Sequence, residues 1–460
     1  MSVISQLRCI DALGPNGAYR AHNRQNVTDV AGHPLAELSL VPRLFVTRTM
    51  AALHKAKTLP LEDRLTALTR AGELFATGEV DGMSVAEYQH MVCRMSGTPL
   101  PIVRGAVETI ARYAAKVYWS AQQARPIGAV NDWRDPQARE GTAVWIGRGS
   151  VFAVHAPGNE PGVHSIWLEP LALGYRVAIR PSRREPLTPY RLINALRACG
   201  FGNDQVVLLP TDHDAADEIL RQADLSMVYG GQEVIDKYAA NPTILPNGPG
   251  RSKILVTADS DWHSYLDMIV DSVSNLGGTA CINATAVFVE GDPTPVAEAI
   301  AERLAALPSL PPENEQAVLP TYSLEAAKKI ESYLLAKAAG TRAHLGGEGV
   351  VHELGDGSAV LQPAVYQLDN PFAEQANIEL AFPCVWVAPW TREVGIAPFK
   401  NTLVLTAVTK NEKLLDELLA DPTIKNLYIR NHPTHWMAPG IPHDGYLGEF
   451  LMRTKAVIRD

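Results

Sequence analysis

Apolar residues recur at three- and four-residue intervals from about Leu44 to Ala121, in LTALTRAGELFATG, SVAEYQHMVCRM and IVRGAVETIARYAAKVYWSA, which predicts amphipathic helices. After Arg148 the rhythm changes. GSVFAVHAP, RVAIRPS, QVVLLP and LSMVYGG are short apolar runs that read as strands, and SIWLEPLALG, TPYRLINALRACG and AADEILRQA between them read as helices. Strands alternating with helices imply a parallel sheet with right-handed crossovers, whose ligands sit at the carboxyl ends of strands. The turns HAPGNEP, RPSRREP and YGGQE fall at those ends. A second alternating block starts at Lys253: KILVT, a helix to about Leu276, TAVFVE, the helix TPVAEAIAERLAAL, and strands AVLQPAVYQL, CVWVAP, TLVLTAV and NLYIRN. Residues 1–45 read as turn-rich and extended, and 122–148 as a hairpin or an excursion closing on GTAVWIG. Two α/β domains follow, with a boundary near Pro246–Gly250.

Composition narrows the picture. With 460 residues, 46% hydrophobic and 20% charged, the chain is globular, and disorder, collagen-like repeats and coiled coils are excluded as global descriptions. A net charge of −9 argues against nonspecific binding to nucleic acid or anionic membrane. No apolar run approaches the roughly 20 residues of a membrane span, and MSVISQLRCIDALG lacks the regions of a signal peptide, so a cytoplasmic protein is expected. The five cysteines, Cys9, Cys93, Cys199, Cys281 and Cys384, are scattered and never form CxxC, which argues against a disulfide framework or a zinc ribbon. No metal is expected.

Cys281 is the candidate nucleophile. It lies in NLGGTACINATAVFV, a Gly-rich turn before a strand, where a thiol can meet a substrate beside backbone N–H groups that stabilise an oxyanion. The alternative is a small buried hydrophobe. Cys93, Cys199 and Cys384 read as core.

Taken with Cys281, several segments in order resemble the aldehyde dehydrogenase superfamily. HAPGNEP is similar to its Pro-x-Asn-x-Pro turn, which implies that Asn159 helps form the oxyanion hole and that Pro157 borders the cofactor. GYRVAIRPSRREPLTPYRLINAL resembles the strand, Lys-Pro-Ser-Glu turn and helix that cradle the adenine ribose, implicating Arg180, Ser182 and Arg183. VYGGQEV resembles the turn at the pyrophosphate, which places Gly230 and Gly231 there. GGTACINATAVFV resembles the nucleophile turn, and LQPAVY with ELAFPCVWV the later segments, implying that Glu379 holds the nicotinamide ribose. RMSGTPLPIVRGAVETIARYA follows the early helix, and PHDGYLGEF is similar to a worn Pro-x-Gly-Gly-x-x-x-Ser-Gly. The resemblance runs across nearly the whole chain.

Three departures carry information. Hydrolytic members place a Glu before the cysteine to activate water, whereas LPNGPGRSKILV has Asn247 there, and an amide cannot take that proton at neutral pH. A different register, or Glu160 or Glu233 as substitute, is the alternative. Without the base, thiohemiacetal, hydride-transfer and thioester steps survive and hydrolysis suffers, which points to acyl exchange with a thiol carrier. The ribose turn reads Arg180-Pro181-Ser182-Arg183, with Arg184 close by, which favours NADP(H) over NAD(H) because a guanidinium attracts the 2′-phosphate that the family's Glu repels. Pairing of the arginines with Glu185 is the bland alternative. Finally, NLGGTAC is one residue longer than the family spacing, and NHPTHWMAPGIPH carries His432, His435 and His443, read first as a surface loop, next as a source of a catalytic acid and last as a metal site.

The resemblance and these departures together imply an aldehyde dehydrogenase-like α/β fold. It comprises a Rossmann-like cofactor domain (1–121 and 149–246), an α/β catalytic domain (247–440) and a small β oligomerisation element (122–148 and 441–460) that makes a homodimer or homotetramer. The leading expectation is reduction of an acyl-thioester, acyl-CoA or acyl carrier protein, to an aldehyde, with coenzyme A as a possible co-substrate. Oxidation of an aldehyde to a carboxylic acid is the second reading, and a catalytically weak binding subunit the third.

Overall fold

The computed structural model describes residues 7–138 and 141–458. The first six residues of the opening segment, and residues 139, 140, 459 and 460 of the expected oligomerisation element, lie outside that description. Two seven-stranded sheets organise the chain. In the first, Ile244–Asn247, Leu225–Tyr229, Val151–His155, Arg176–Arg180 and Val206–Leu208 lie side by side and parallel. The runs VFAVH and RVAIR are buried at every position but the last, as strands covered on both faces must be. The chain moves from Val151–His155 outward in one direction and then returns to place Leu225–Tyr229 on its other side. That reversal opens a crevice between the carboxyl ends of the two strands, at His155 and Tyr229.

The predicted helices cover this sheet. Leu61–Thr77 and Leu100–Gln122 pack through Gly72, where an added Cβ would stand 2.7 Å from that of Ala114. Ser84 caps the helix Val85–Ser96, accepting from Glu87 N at 3.2 Å, and Gly97 ends it at φ 71°. The Gly97 Cα lies against the Thr321 carbonyl, where no side chain fits. The opening segment is extended, as expected, but organised: Arg8–Ile10, Pro34–Ser39 and Arg24–Thr28 form a small sheet, and the hairpin Ala12–Gly14 and Gly17–Tyr19 extends the first large sheet at Leu208.

The second sheet runs Arg342–Leu345, Ala364–Gln367, Cys384–Trp390, Ala284–Glu290, Ser252–Val256, Thr402–Val408, Ile424–Ile429, parallel except for its first strand. The single strand expected over AVLQPAVYQL is two. Ser358–Leu361 belongs to a three-stranded antiparallel sheet and Ala364–Gln367 to the large one, because Pro363 has no N–H to continue a ladder. The helix Leu324–Ala338, absent from the pattern reading, covers this sheet. Segment 122–148 is an excursion rather than a hairpin: Thr142–Gly147 pairs antiparallel with Met452–Val457, at the far end of the chain. Among the described residues, no helix is long and apolar enough to cross a membrane.

Asp224 secures the first turn of the central strand, accepting from Ser150 N at 2.6 Å, Val151 N at 2.9 Å and Ser150 Oγ at 3.0 Å. Partial burial opposes its charge, but these donors outweigh burial and hold the carboxyl below its ordinary value. Its contribution is therefore present above the unfolded carboxyl range and lost as pH falls through the folded one. Asp224→Ala is expected to cost about 1–2 kcal/mol, discounted for solvent access, in urea denaturation at neutral pH, with the deficit shrinking in acid.

Candidate active site

A cavity of about 1130 Å³ runs between the sheets from the crevice at Tyr229 to the turn bearing Cys281, and all ten candidate residues line it. Arg180, Ser182 and Arg183 stand at one end with His213; Pro157, Gly230, Gly231, Asn247 and Glu379 lie along it; Asn159 and Cys281 follow. Beyond them the wall is one face of the helix Leu100–Gln122, from Ile102 through Gly105, Ala106 and Thr109 to Arg112 and Tyr113.

The Cys281 turn is held from several sides. Leu276, Gly277 and Gly278 are successive left-handed residues (φ 53°, 71° and 64°), a run that takes up the longer turn. Asn283 Oδ1 accepts from Ala280 N at 2.9 Å, and its Nδ2 donates to the Asn275 carbonyl at 2.8 Å. Ser252 Oγ donates to the Cys281 carbonyl at 3.0 Å. Gly250 lies so close that an added Cβ would stand 1.9 Å from that same oxygen. Asn159 Nδ2 donates to the Thr279 carbonyl at 3.0 Å, so the second N–H of the amide remains for another acceptor.

Burial dominates the electrostatics. It pushes the Cys281 thiol up to about 12, reinforced by the carboxylates of Glu379 and Asp444. Glu379 is raised to about 7 by burial, although Arg251 N donates to it at 2.5 Å. Beneath the turn, burial and then the charge of Arg251 lower Lys253 to about 7, and its Nζ donates to Thr402 Oγ1 at 2.9 Å. The Tyr229 hydroxyl and Asn247 Oδ1, on adjacent strand ends, are buried without a well-formed hydrogen bond among the described residues.

The alternatives raised by the sequence resolve unevenly. Asn247 does sit in the cavity. Glu160 also lines it, but its carboxylate turns back onto Gly162 N at 2.7 Å, whereas Glu233 is exposed outside the lining. The arginines do not pair with Glu185, which is buried and accepts from Leu187 N and Thr188 N at the start of a helix. Arg180 donates to Thr211 Oγ1 at 3.0 Å, and Arg183 reaches the Thr211 carbonyl at 3.5 Å while its Nε has no hydrogen-bond partner among the described residues. Arg184 turns away, stacking 4.9 Å over Tyr322. Cys93 and Cys384 are buried, but Cys199 is only half-buried, since it sits at a helix end rather than inside one.

The surface-loop reading of the histidines needs correction. His432 is exposed, but His435 and His443 line the cavity, and His443 Nε2 stands 4.0 Å from Cys281 Sγ. The loop folds inward because Asn426 Nδ2 donates to the His443 carbonyl at 2.5 Å and Thr434 N to Ser272 Oγ at 3.1 Å. Among the described residues no cluster of three or more His, Cys, Asp or Glu is arranged to hold a metal. Sequence reasoning also missed Tyr229, although it directly precedes Gly230, and Arg112 and Tyr113, whose only signal was their spacing along a helix face.

Comparison with known proteins agrees with this architecture. The aldehyde dehydrogenase family pattern matches residues 20–398, and the chain belongs to that family. A 2-hydroxymuconic semialdehyde dehydrogenase from Pseudomonas sp. (strain CF600) is 28% identical over 291 residues, 56% of this chain and 58% of the relative. A malonate-semialdehyde dehydrogenase 2 from Bacillus mycoides (strain KBAB4) is 27% identical over 164 residues, 34% of this chain and 33% of the relative. The matched part thus spans about half and one third of those two relatives. Among solved structures, an indole-3-acetaldehyde dehydrogenase complexed with NAD⁺ superposes with a TM-score of 0.82 at 16% identity, covering 97% of this chain and 95% of that one. A mutant of Thermus thermophilus 1-pyrroline-5-carboxylate dehydrogenase gives 0.81 at 18% identity, covering 98% and 93%.

Because Gly250 packs directly on the Cys281 carbonyl, Gly250→Ala is expected to shift the Cys281 turn. Turnover should fall by about 10²-fold or more, measured on protein whose far-ultraviolet dichroism is unchanged.

Proposed function

We propose that this protein is an NADP(H)-linked oxidoreductase that reduces an acyl-thioester, presented on coenzyme A or an acyl carrier protein, to an aldehyde through a thioester on Cys281. The observation that carries this reading is Asn247, an amide in the cavity at the position where hydrolytic members of the family use a carboxylate. An amide does not deprotonate water, so an acyl group on Cys281 persists long enough to be reduced or exchanged. The Asn159 amide, with its spare N–H, and the Cys281 backbone N–H hold the oxyanion that forms when the thiolate attacks. When bound, the nicotinamide coenzyme supplies the hydride.

The cavity suits such a coenzyme. Arg180 and Arg183 form no ion pair among the described residues, and with Ser182 they offer cationic and hydroxyl donors for a ribose 2′-phosphate. Pro157, Gly230 and Gly231 border the switch-point crevice where a pyrophosphate would lie, and Glu379, with one oxygen tied to Arg251 N, keeps the other for the nicotinamide ribose. Aldehyde oxidation to a free acid is the second reading, favoured by the semialdehyde dehydrogenases among the relatives. The ribbon of Thr142–Gly147 and Met452–Val457 is proposed as the oligomerisation element of a cytoplasmic homodimer or homotetramer.

Nicotinamide absorbance decides between the readings. NADPH consumption with an acyl-CoA, and aldehyde oxidation by NADP⁺ only when free CoA is present, are expected. Steady aldehyde oxidation without CoA, yielding free acid, would replace the first reading with the second. Arg183→Glu is expected to lower kcat/KM for NADPH by about 10- to 100-fold and to leave NADH much less affected, as loss of one charged hydrogen-bond partner implies.

A further inference from the structure

The half-buried Cys281 thiol needs somewhere to send its proton when it attacks, and neither Asn247 nor Asn159 accepts one. Glu160 turns back onto Gly162 N and Glu379 accepts from Arg251 N, and among the described residues neither carboxylate is hydrogen-bonded to the Cys281 sulfur. Among the described residues, the group with a free proton site that faces the sulfur is His443, whose Nε2 stands at 4.0 Å. This contact is built rather than incidental. The His443 carbonyl is anchored by Asn426 Nδ2, which also donates to the Leu403 carbonyl at 2.9 Å, so the loop is fixed to the neighbouring strands Thr402–Val408 and Ile424–Ile429. Tyr446 OH donates to the Gly440 carbonyl at 3.1 Å and Tyr428 OH to the Trp436 carbonyl at 2.8 Å, closing the same loop on itself. His443 and Cys281 both line the cavity.

We propose that His443 is the catalytic base and acid for Cys281, an inference that rests on Cys281 being the nucleophile of the proposed reaction. His443 Nε2 takes the thiol proton as Sγ bonds to the acyl carbon. As the bond from that carbon to the carrier sulfur breaks, the imidazolium returns the proton to the departing thiolate. One C–S bond forms and one breaks, the proton passes from Cys281 to the carrier thiol, and nothing is oxidised or reduced. The pairing follows the general logic of a cysteine activated by an adjacent imidazole. Burial favours the neutral, proton-accepting form of His443, and Asp444 beside it opposes that tendency. The other titratable groups in reach are Cys281 itself, Tyr229, Glu379 and Glu160 on the walls around the sulfur, and Lys425, 4.0 Å from Asp444.

The test is alkylation of Cys281 by iodoacetamide, followed by peptide mass from about pH 5 to pH 10, on wild type and His443→Gln, with Cys281→Ser to assign the label. Slowing by about tenfold or more near neutral pH in His443→Gln, with the profile displaced to higher pH, is expected. Unchanged alkylation would overturn the inference. A second variant guards against misfolding: in His443→Ala, added imidazole is expected to restore the alkylation rate, and failure of rescue in protein that retains NADPH binding counts against the role. With an acyl-CoA and no coenzyme, wild type is expected to release one burst of CoA, slowed about 10²- to 10⁴-fold in His443→Gln. Alkylation that depends on His443, with no burst of carrier thiol from any acyl-CoA or acyl-loaded carrier protein, would support His443 as the base while overturning acyl-thioester reduction.

Discussion

The site depends on a four-residue crossing. The chain leaves the first sheet at Asn247 and enters the second at Ser252, and the backbone between them is the surface on which the Cys281 turn rests. Gly250 admits the Cys281 carbonyl because it has no side chain. Ser252 hydrogen-bonds that carbonyl, and Arg251, held at φ 48°, presents its N–H to Glu379. A non-glycine residue at positive φ is strained, and here it lets one short segment address the nucleophile turn and the Glu379 loop together. Relative placement of the cofactor crevice and the thiol is therefore decided by backbone contact, which tolerates little adjustment.

Charge is distributed along the cavity with the same economy. Arg180 and Arg183 supply two fixed cations at one end, and Arg112 stands on the helix wall beyond the thiol. Around Cys281 the titratable groups are buried and pushed toward neutrality: Glu379 up, Lys253 down, His443 down. A surrounding of groups held neutral strengthens hydrogen bonds to an oxyanion that appears only during reaction, and it disfavours a resting thiolate. The combination suits a nucleophile that ionises on demand, with a proton acceptor beside it, better than one stored as an anion. An amide at Asn247 adds no further negative charge to a cavity whose thiol is already raised by burial, Glu379 and Asp444.

Much of this molecule could be read from the linear sequence, for identifiable reasons. Alternation of short continuous apolar runs with period-three-to-four helices marks a parallel sheet, and Pro- and Gly-rich turns after strands mark where ligands bind, because both signals are local. Cys281 is a candidate for that reason, and the resemblance adds Pro157, Asn159, Arg180 and Gly230, which lie on turns after strands or, for Arg180, at a strand's last residue. Local signals also mislead. AVLQPAVYQL looks continuous until Pro363 is given its lost N–H, and Glu185 looks like a partner for arginine until it is found capping a helix.

What the sequence supplied by itself was the family resemblance, most of the order of elements, the candidate nucleophile Cys281 and the amide Asn247 where the resemblance implies a carboxylate, all carried by short segments. Only tertiary structure decided that His443, 162 residues from Cys281, stands beside its sulfur. The same holds for the pairing of Thr142–Gly147 with Met452–Val457 and for Arg180 and Arg183 standing on Thr211 rather than on Glu185. The physical reason is common to the three: each depends on where a segment is pinned by hydrogen bonds to a distant part of the chain, and no periodicity or spacing along the sequence encodes that.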